Sequence, residues 1–447
     1  PERRFAATFD LGPDGPTAYV KGAAEVVLAM CRESDLGNVM VEVERLAGEG
    51  FRVLALAQGP VPLERAAKAD AETLAGIEFL GLVAVIDPVR PEVPAAVQAC
   101  REAGIDVRMV TGDHPLTALA VARELGIASD LSEVATGTDL AQATKQGRAA
   151  IDDLAARSLV FARVEPIQKL VLVETLQRAG HLVAMTGDGV NDAPALQAAH
   201  VGVAMGRGGT DVARAAADLV IADDNFASIV AGVEEGRIAY DNIRKVVNLL
   251  VSTGAAEIVL FLLAIGAGLP LPLFAVQLLW LNLVTNGIQH VALAFERGEP
   301  DVLRRVPRRP PERIFDRRMV VQTLIAGAFI GLAGFLFFAG SLARGASEAE
   351  ARNALLLLMV LFENVHVFNC RSEARSVFRV PFRANPFVVV AALSAQCVHV
   401  LVLYLPGISG TLDVRPVSFE TWIVMAALSL SLLCVMETYK WLRRGRS

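Results

Sequence analysis

Cysteine is scarce: five in 447 residues, at Cys31, Cys100, Cys370, Cys397 and Cys434. No two form a C-x-x-C pair, which excludes a disulfide-built scaffold and argues against a thiolate metal site. Basic excess is missing too. The net charge is −6, so there is no electrostatic footprint for nucleic acid, and no such partner is expected. Charged residues make up only 20% against 53% apolar, which excludes a disordered chain. The chain opens on Pro1 rather than methionine, and no secretory signal follows. A piece of a longer polypeptide is therefore expected. What is abundant is apolar length. The mean hydropathy of +0.46 is high for a soluble protein and predicts a membrane portion.

The texture changes near residue 235. Before it, short apolar runs alternate with amphipathic stretches. The runs are Phe79–Ile86, Asp106–Val110, Leu159–Phe161, Leu182–Met185, Val201–Ala204 and Leu219–Ile221; Pro91–Glu102 and Pro115–Leu125 lie between them. Such alternation predicts a parallel α/β sheet. After it come six apolar stretches: Leu249–Ala267, Leu273–Phe295, Met319–Leu342, Ala354–Phe368, Pro386–Leu405 and Trp422–Tyr439. Most approach the ~20 residues that a membrane-spanning helix needs. The fourth is short and polar, so neighbours must cover it.

Loop charge predicts orientation. Glu296–Arg318 carries eight arginines, including Arg304, Arg305, Arg308 and Arg309, and Arg371–Asn385 carries four. Lys440, Arg443, Arg444 and Arg446 follow in the tail. With six alternating helices all of these fall on one side, against Arg344, Arg352 and Arg415 on the other. This positive-inside bias places the α/β part in the cytoplasm of a multi-pass protein. The short loops suit a bacterial inner membrane.

Three segments at the ends of apolar runs carry chemistry: Val110-Thr111-Gly112-Asp113, Phe161–Pro166 followed by Lys169, and Met185–Pro194. In a parallel sheet, ligands bind at the carboxyl ends of strands. Asp188 and Asp192, four apart with glycine between them, suit a hard cation such as Mg2+. Thr111 and nearby backbone amides suit phosphate oxygens at a helix start. Lys169 suits neutralisation of a phosphoryl group or its acceptor. Positioning and electrostatics of this kind are most of what phosphoryl transfer requires.

Thr186–Leu196, T-G-D-G-V-N-D-A-P-A-L, resembles the hinge motif of P-type cation-transporting ATPases. Lys21-Gly22-Ala23-Ala24-Glu25 resembles their nucleotide-domain K-G-A-P-E, with Ala24 in place of the usual Pro. Phe51–Ala55 resembles a second nucleotide-contact segment, and Asp87-Pro88-Val89-Arg90-Pro91 the D-P-P-R hinge. The likeness runs through the whole chain and is strongest to the calcium-pump-like branch. It implies an α/β fold, a haloacid-dehalogenase-like Rossmannoid phosphorylation domain over 81–235. Part of an α+β nucleotide-binding domain precedes it over 1–80, and an all-α bundle of six transmembrane helices follows over 236–447. The implied cofactors are ATP and Mg2+. By the same likeness Lys21 and Arg52 contact ATP, and Thr111, Gly112 and Asp113 line the phosphate site. Arg163 bridges the two soluble domains, Lys169 and Asn191 hold the phosphoryl group and its acceptor, and Asp188 ligates Mg2+ with support from Asp192. The family's nucleophile, the aspartate of D-K-T-G-T, has no counterpart here, and Asp10-Leu11-Gly12-Pro13 is no substitute. The actuator domain and first four membrane helices also lack counterparts.

Polar residues inside the apolar stretches are costly and therefore point to function. They are Glu257 in the first stretch, Asn282, Thr285, Asn286 and Gln289 in the second, and Glu363 in the fourth, near Asn364, His366 and Asn369. Spacings of three and four put the second set on one helix face. The resemblance makes Glu257, Asn282, Thr285 and Glu363 ligands of the transported cation. Gly254 stands where an Asn ligand is usual, and Asn286 where an Asp is usual, which favours fewer ions or lower charge. His290 and Glu296 are read as accessory or interfacial. The leading expectation is the C-terminal part of a monomeric pump that couples ATP hydrolysis, through an aspartyl phosphate, to transport of Ca2+ or another small metal cation across a lipid bilayer. A non-catalytic fragment that binds nucleotide or a partner, and a membrane-tethered phosphatase, are the competing readings.

Overall fold

A computed structural model describes residues 4–13, 15–32, 38–62, 74–308 and 312–444. Arg309 and Arg446 of the basic segments lie outside them. The chain divides into two compact units, 1–232 with 303–307, and 233–302 with 308–447.

The first unit opens with strands β1 (Phe5–Gly12) and β2 (Gly15–Ala23), helices α1 (Ala24–Leu28) and α2 (Val39–Gly48), then β3 (Arg52–Pro60) and β4 (Glu78–Val85). The four strands pair antiparallel in the order β1-β2-β3-β4. One face alternates inward, with Ala18, Val20, Ala55 and Ala57 buried against Val27 and Leu74. The run Phe79–Ile86 is thus not part of a parallel sheet. It is β4, paired antiparallel to β3. Asp10 lies in β1, in register with Thr17 beside the hairpin turn.

Next come α3 (Val93–Glu102), β5 (Met109–Val110), α4 (Pro115–Glu124), β6 (Val134–Thr136), α5 (Gly137–Gln146), α6 (Arg148–Arg157), β7 (Val160–Ala162) and α7 (Pro166–Arg178). They are followed by β8 (Ala184–Gly187), α8 (Ala193–Ala198), β9 (Val201–Met205), α9 (Asp211–Ala216) and β10 (Leu219–Ile221). The expected parallel sheet is present as two three-stranded parallel sheets, β5-β7-β6 and β10-β9-β8. They stay separate because β5 and β8 are edge strands, with no described strand pairing their outer sides. The central β7 is wholly buried, Val160, Phe161 and Ala162 each at 0% exposure, as expected of a parallel strand covered on both faces. Proline sets the entry of α4 and α7, where its missing N–H costs nothing.

The second unit is helical. Helix α10 (Ala227–Gly266) runs for 40 residues. Then α11 (Ala275–Leu279) passes through a π segment, Trp280–Thr285, into α12 (Asn286–Ala294). Helices α13 (Arg317–Ala343), α14 (Glu348–Cys370), α15 (Pro386–Val402), α16 (Pro406–Leu412) and α17 (Phe419–Arg444) complete it. Among the described residues four helices are long and apolar enough to cross a membrane: α10, α13, α14 and α17. A fifth arises if α15 and α16, bent by 97° at their junction, act as one span. The polar fourth stretch is α14, the most covered of the four, with 72% of its apolar window buried. Its Leu355–Val360 and Phe362 form the centre of the unit's core with Leu260, Ile330 and Met425.

Helix α13 meets α10 through two glycines one turn apart. A methyl group on Gly327 would lie 2.9 Å from Ala255 Cβ, and one on Gly331 only 2.6 Å from the Ala256 carbonyl oxygen. Small residues four apart let helices approach to backbone contact. Gly331→Ala is expected to push the helices apart at a cost of ~1–3 kcal/mol, read as a lower unfolding temperature in detergent. An unchanged temperature would show that the interface has room to spare.

Candidate functional site

The phosphoryl-type residues gather on the loops after β5, β7 and β8. Thr111 N–H extends β5 by donating to the Phe161 carbonyl at 2.8 Å, and Val164 N–H returns to the Thr111 carbonyl at 3.1 Å. The Thr111 hydroxyl donates to Asp113 Oδ2 at 2.9 Å, and the Asp113 N–H to Thr111 Oγ1 at 3.1 Å. This turn leaves exposed Gly112 just before the start of α4, where the helix dipole favours an anion.

Arg163 takes a left-handed backbone, φ 56°, and its Nη2 lies 2.5 Å from Glu25 Oε1. The K-G-A-A-E run and the segment after β7 are thereby tied together. Ala24 occupies the first turn of α1, a position that also accepts proline. Lys21 and Arg52 are both exposed on neighbouring strands. Lys21 faces Leu56, so the two basic residues are four register positions apart. Arg52 Nη1 stands 3.9 Å from Asp113 Oδ1, a solvent-screened contact that adds little stability.

The loop after β8 closes on itself. Lys169 Nζ donates to Asp192 Oδ1 at 2.6 Å. Asp192 Oδ2 accepts the N–H groups of Asp188 at 3.3 Å and Gly189 at 3.2 Å. A Cβ on Gly187 would meet Asp192 Cβ at 2.6 Å, so that position requires glycine. Asp192 is buried at 7% exposure, its carboxylate taken by lysine and amides, whereas Asp188 and Asn191 are exposed. Among the described residues no three Asp, Glu, His or Cys side chains form a metal cage. One open carboxylate, Asp188, suits Mg2+, which keeps water and takes phosphate oxygens as its other ligands.

In the second unit the polar residues of α10, the π segment, α12 and α14 converge. Asn282 Nδ2 donates to Glu257 at 2.9 and 3.2 Å. Glu363 accepts from the Thr285 hydroxyl at 2.5 Å and from Asn286 Nδ2 at 3.0 Å. Thr285 and Asn286 are at 0% exposure and Glu363 at 2%. Neither glutamate has a Lys, Arg or His partner within ion-pair distance among the described residues. The expected single face is re-spaced by the π segment: Asn282 turns to α10, while Thr285 and Asn286 reach α14. Gly254 has open space where a side chain would begin.

Glu296, just beyond the end of α12, is buried. It is 4% exposed and forms a two-pronged pair with Arg371 at 3.0 and 2.9 Å, joined by Asn385 at 3.1 Å. His366 Nε2 lies 2.8 Å from Ser252 Oγ. Sequence reasoning missed Glu25, although it belongs to the run carrying Lys21. It also missed His114, whose place just before Pro115 signals a helix cap, and Gln396, an amide inside an apolar stretch. The π segment has no sequence signal of its own.

Comparison with known proteins supplies the context. A profile of the family described as cation transporting ATPase, C-terminus, matches residues 270–442, and one for haloacid dehalogenase-like hydrolase matches residues 20–200. The "Probable cation-transporting ATPase F" of Mycobacterium tuberculosis is 38% identical over 461 aligned residues, covering 100% of this chain and 50% of that protein. "Cation-transporting ATPase pma1" of Synechocystis sp. is 44% identical over 337 residues, 73% of this chain and 37% of its own length. A "Calcium-transporting ATPase" of Bacillus subtilis is 39% identical over 390 residues, 87% and 43% respectively. The chain spans about half the length of such relatives.

Two outcomes test this geometry. Lys169→Met strands the Asp192 carboxylate against two amides, and a loss of ~3 kcal/mol is expected. Faster hydrogen exchange at the Asp188 and Gly189 amides should accompany it; unaltered exchange would refute the latch. Burial, and secondly the Arg163 guanidinium, hold the His114 imidazole below its usual 6.5. Its neutral Nδ1 caps α4 by accepting from Leu116 N–H at 3.3 Å. The unfolded chain takes up the proton more readily, so this contribution is complete above pH 6.5 and fades as pH falls towards the depressed folded value. His114→Asn keeps an acceptor that does not titrate. Its unfolding temperature should fall less than the native one between about pH 7.5 and 5.5; equal falls would exclude the cap as the cause.

Proposed function

Because the chain belongs to the P-type cation-transporting ATPases, we propose that it supplies the phosphate-handling loops and the ion-binding helices of an ATP-driven cation pump. In this reading residues 1–80 complete a nucleotide-binding domain, 81–235 form the phosphorylation domain, and 236–447 lie in the membrane. Helices α11 and α12, joined through the π segment, act as one span, and with α15–α16 they bring the total to six. The α/β part faces the cytoplasm, since the Arg-rich segments follow α12 and α14. The membrane is a bacterial inner membrane and the pump a monomer.

Lys21 and Arg52 orient ATP, and the Thr111–Asp113 turn and α4 receive the phosphoryl oxygens. Asp188 holds Mg2+, which supplies charge neutralisation on the phosphates. Lys169, fixed by Asp192, keeps a positive charge beside the transferring group, and Asn191 orients it. The acceptor aspartate lies outside these residues. The open edges of β5 and β8, each ending in T-G-D, support a strand that carries it between them. A change in the phosphorylated domain then alters cation affinity in the helices, a coupling between distinct sites.

One observation carries this reading: Glu257 and Glu363 sit among apolar helices with only amide and hydroxyl partners. Glu363 is buried and Glu257 partly so; a carboxylate so placed without a basic partner takes up a proton or a cation, and in this reading the transported ion, Ca2+ or another small metal ion, displaces the proton. In the full-length protein Glu257→Gln and Glu363→Gln should each abolish cation-stimulated ATP hydrolysis and isotope uptake into vesicles. Uptake that survives both substitutions would overturn the proposal.

A further inference from the structure

Beside Glu363 runs a row of three amides that the reading above leaves unused. Gln289 Nε2 on α12 donates to Asn364 Oδ1 on α14 at 2.7 Å, and Asn364 Nδ2 donates to Gln396 Oε1 on α15 at 2.9 Å. The row has a direction. Its first amide spends an N–H on Asn364, which leaves the carbonyl oxygen of Gln289, at 0% exposure, without a partner. Asn286, three residues earlier, repeats the pattern. Its Nδ2 serves Glu363 at 3.0 Å and Thr253 at 3.3 Å, and its Oδ1 has no partner. Two orphaned carbonyl oxygens thus lie one turn apart on one face of α12. A buried acceptor left unmade is destabilising; the row's far end also stays open, at Gln396 Nε2 on α15, but the two open oxygens lie on the helix whose Asn286 already serves Glu363. Hard cations take neutral carbonyl oxygens alongside carboxylates.

We propose that Gln289 is a further ligand of the transported cation, held in place by Asn364 and Gln396, and that the completed shell takes a single divalent ion. With Asn286 it adds neutral oxygens to a site whose only carboxylates are Glu257 and Glu363, so two negative charges meet two positive ones. The inference rests on the cation-pump reading.

The test is equilibrium binding of radioactive Ca2+ to the full-length protein in detergent without ATP, together with the rise in unfolding temperature on adding Ca2+. Gln289→Leu removes the oxygen and should weaken binding about tenfold or more; Gln396→Leu, which only frees the row, should weaken it by ~10-fold. Gln289→Glu keeps an oxygen and should bind Ca2+ at least as tightly as the native protein. If the row merely joins helices the ranking changes, because an ionised Glu cannot donate to Asn364 and should fare no better than Leu. Native-like binding by Gln289→Leu, or a Gln289→Glu variant as weak as Gln289→Leu, would overturn the assignment. Loss of binding in Glu363→Gln under those results would leave the pump reading standing. Native-like binding by Glu363→Gln would overturn both, and absence of Ca2+ binding by the native protein would overturn the divalent assignment.

Discussion

A carboxylate among apolar helices must be compensated, and the second unit contains two solutions to that problem. Glu296 is sealed by Arg371 and Asn385 in a closed, fully bonded cluster. Glu363, buried to the same degree, has only Thr285 and Asn286. The first arrangement is permanent: the guanidinium is always charged and the geometry is two-pronged. The second has no permanent positive charge beside it among the described residues, so a proton or a bound cation has to neutralise it. Helix α14, which carries Glu363, is the most covered of the four long apolar helices. The π segment aims its own Asn282 at α10 and its Thr285, with Asn286 of α12, at α14. Such bulges inside helices are frequent at functional sites.

The same contrast recurs in the α/β unit. Asp192 and Asp188 lie four residues apart in one glycine-rich loop. Asp192 is closed off by Lys169 and two backbone amides, and in that state it shapes the loop. Asp188 remains exposed. With Asp192 open as well, the loop would lose the bonds from Lys169 and from the Asp188 and Gly189 amides that close it. Gly187 is what permits the closure, since any side chain there would collide with Asp192. Thus the two aspartates that look equivalent in the motif divide into one bonded within the loop and one left exposed.

Much of this was legible in the sequence. Six of the apolar runs before residue 235 are strands, β4, β5, β7, β8, β9 and β10, because short apolar runs bounded by glycine and acid have few other solutions. Their partners were less legible. Phe79–Ile86 looks like its neighbours, yet pairs antiparallel with β3, and periodicity carries no information on pairing direction. Glu257 and Glu363 stood out because ionisable residues in apolar stretches are rare. Their partners followed from helical spacing only approximately, since an i→i+5 segment rotates the positions after it. Glu296 shows the opposite limit. Its position at the end of an apolar stretch suggested an interface, but its partner Arg371 comes from 75 residues away, a distance at which local pattern is silent.

The departures from the family pattern also make sense together. With Gly254 and Asn286 where Asn and Asp are usual, a site built from the usual positions alone would be short of a side-chain ligand and of a charge. The loss of charge is coherent if fewer positive charges are carried. Lost coordination is different, because a divalent ion still needs six or more oxygens whatever its count. Neutral oxygens must come from elsewhere, and the amides of α12 are positioned on the face already committed to Glu363. An amide is the suitable substitute: it restores a ligand without restoring a negative charge. It also needs orienting, because a primary amide presents donor and acceptor with nearly equal ease. The chain from Gln289 through Asn364 to Gln396 supplies that orientation by engaging the donor end. On the proposed reading, charge is set by the glutamates, and the amides set how many oxygens accompany it.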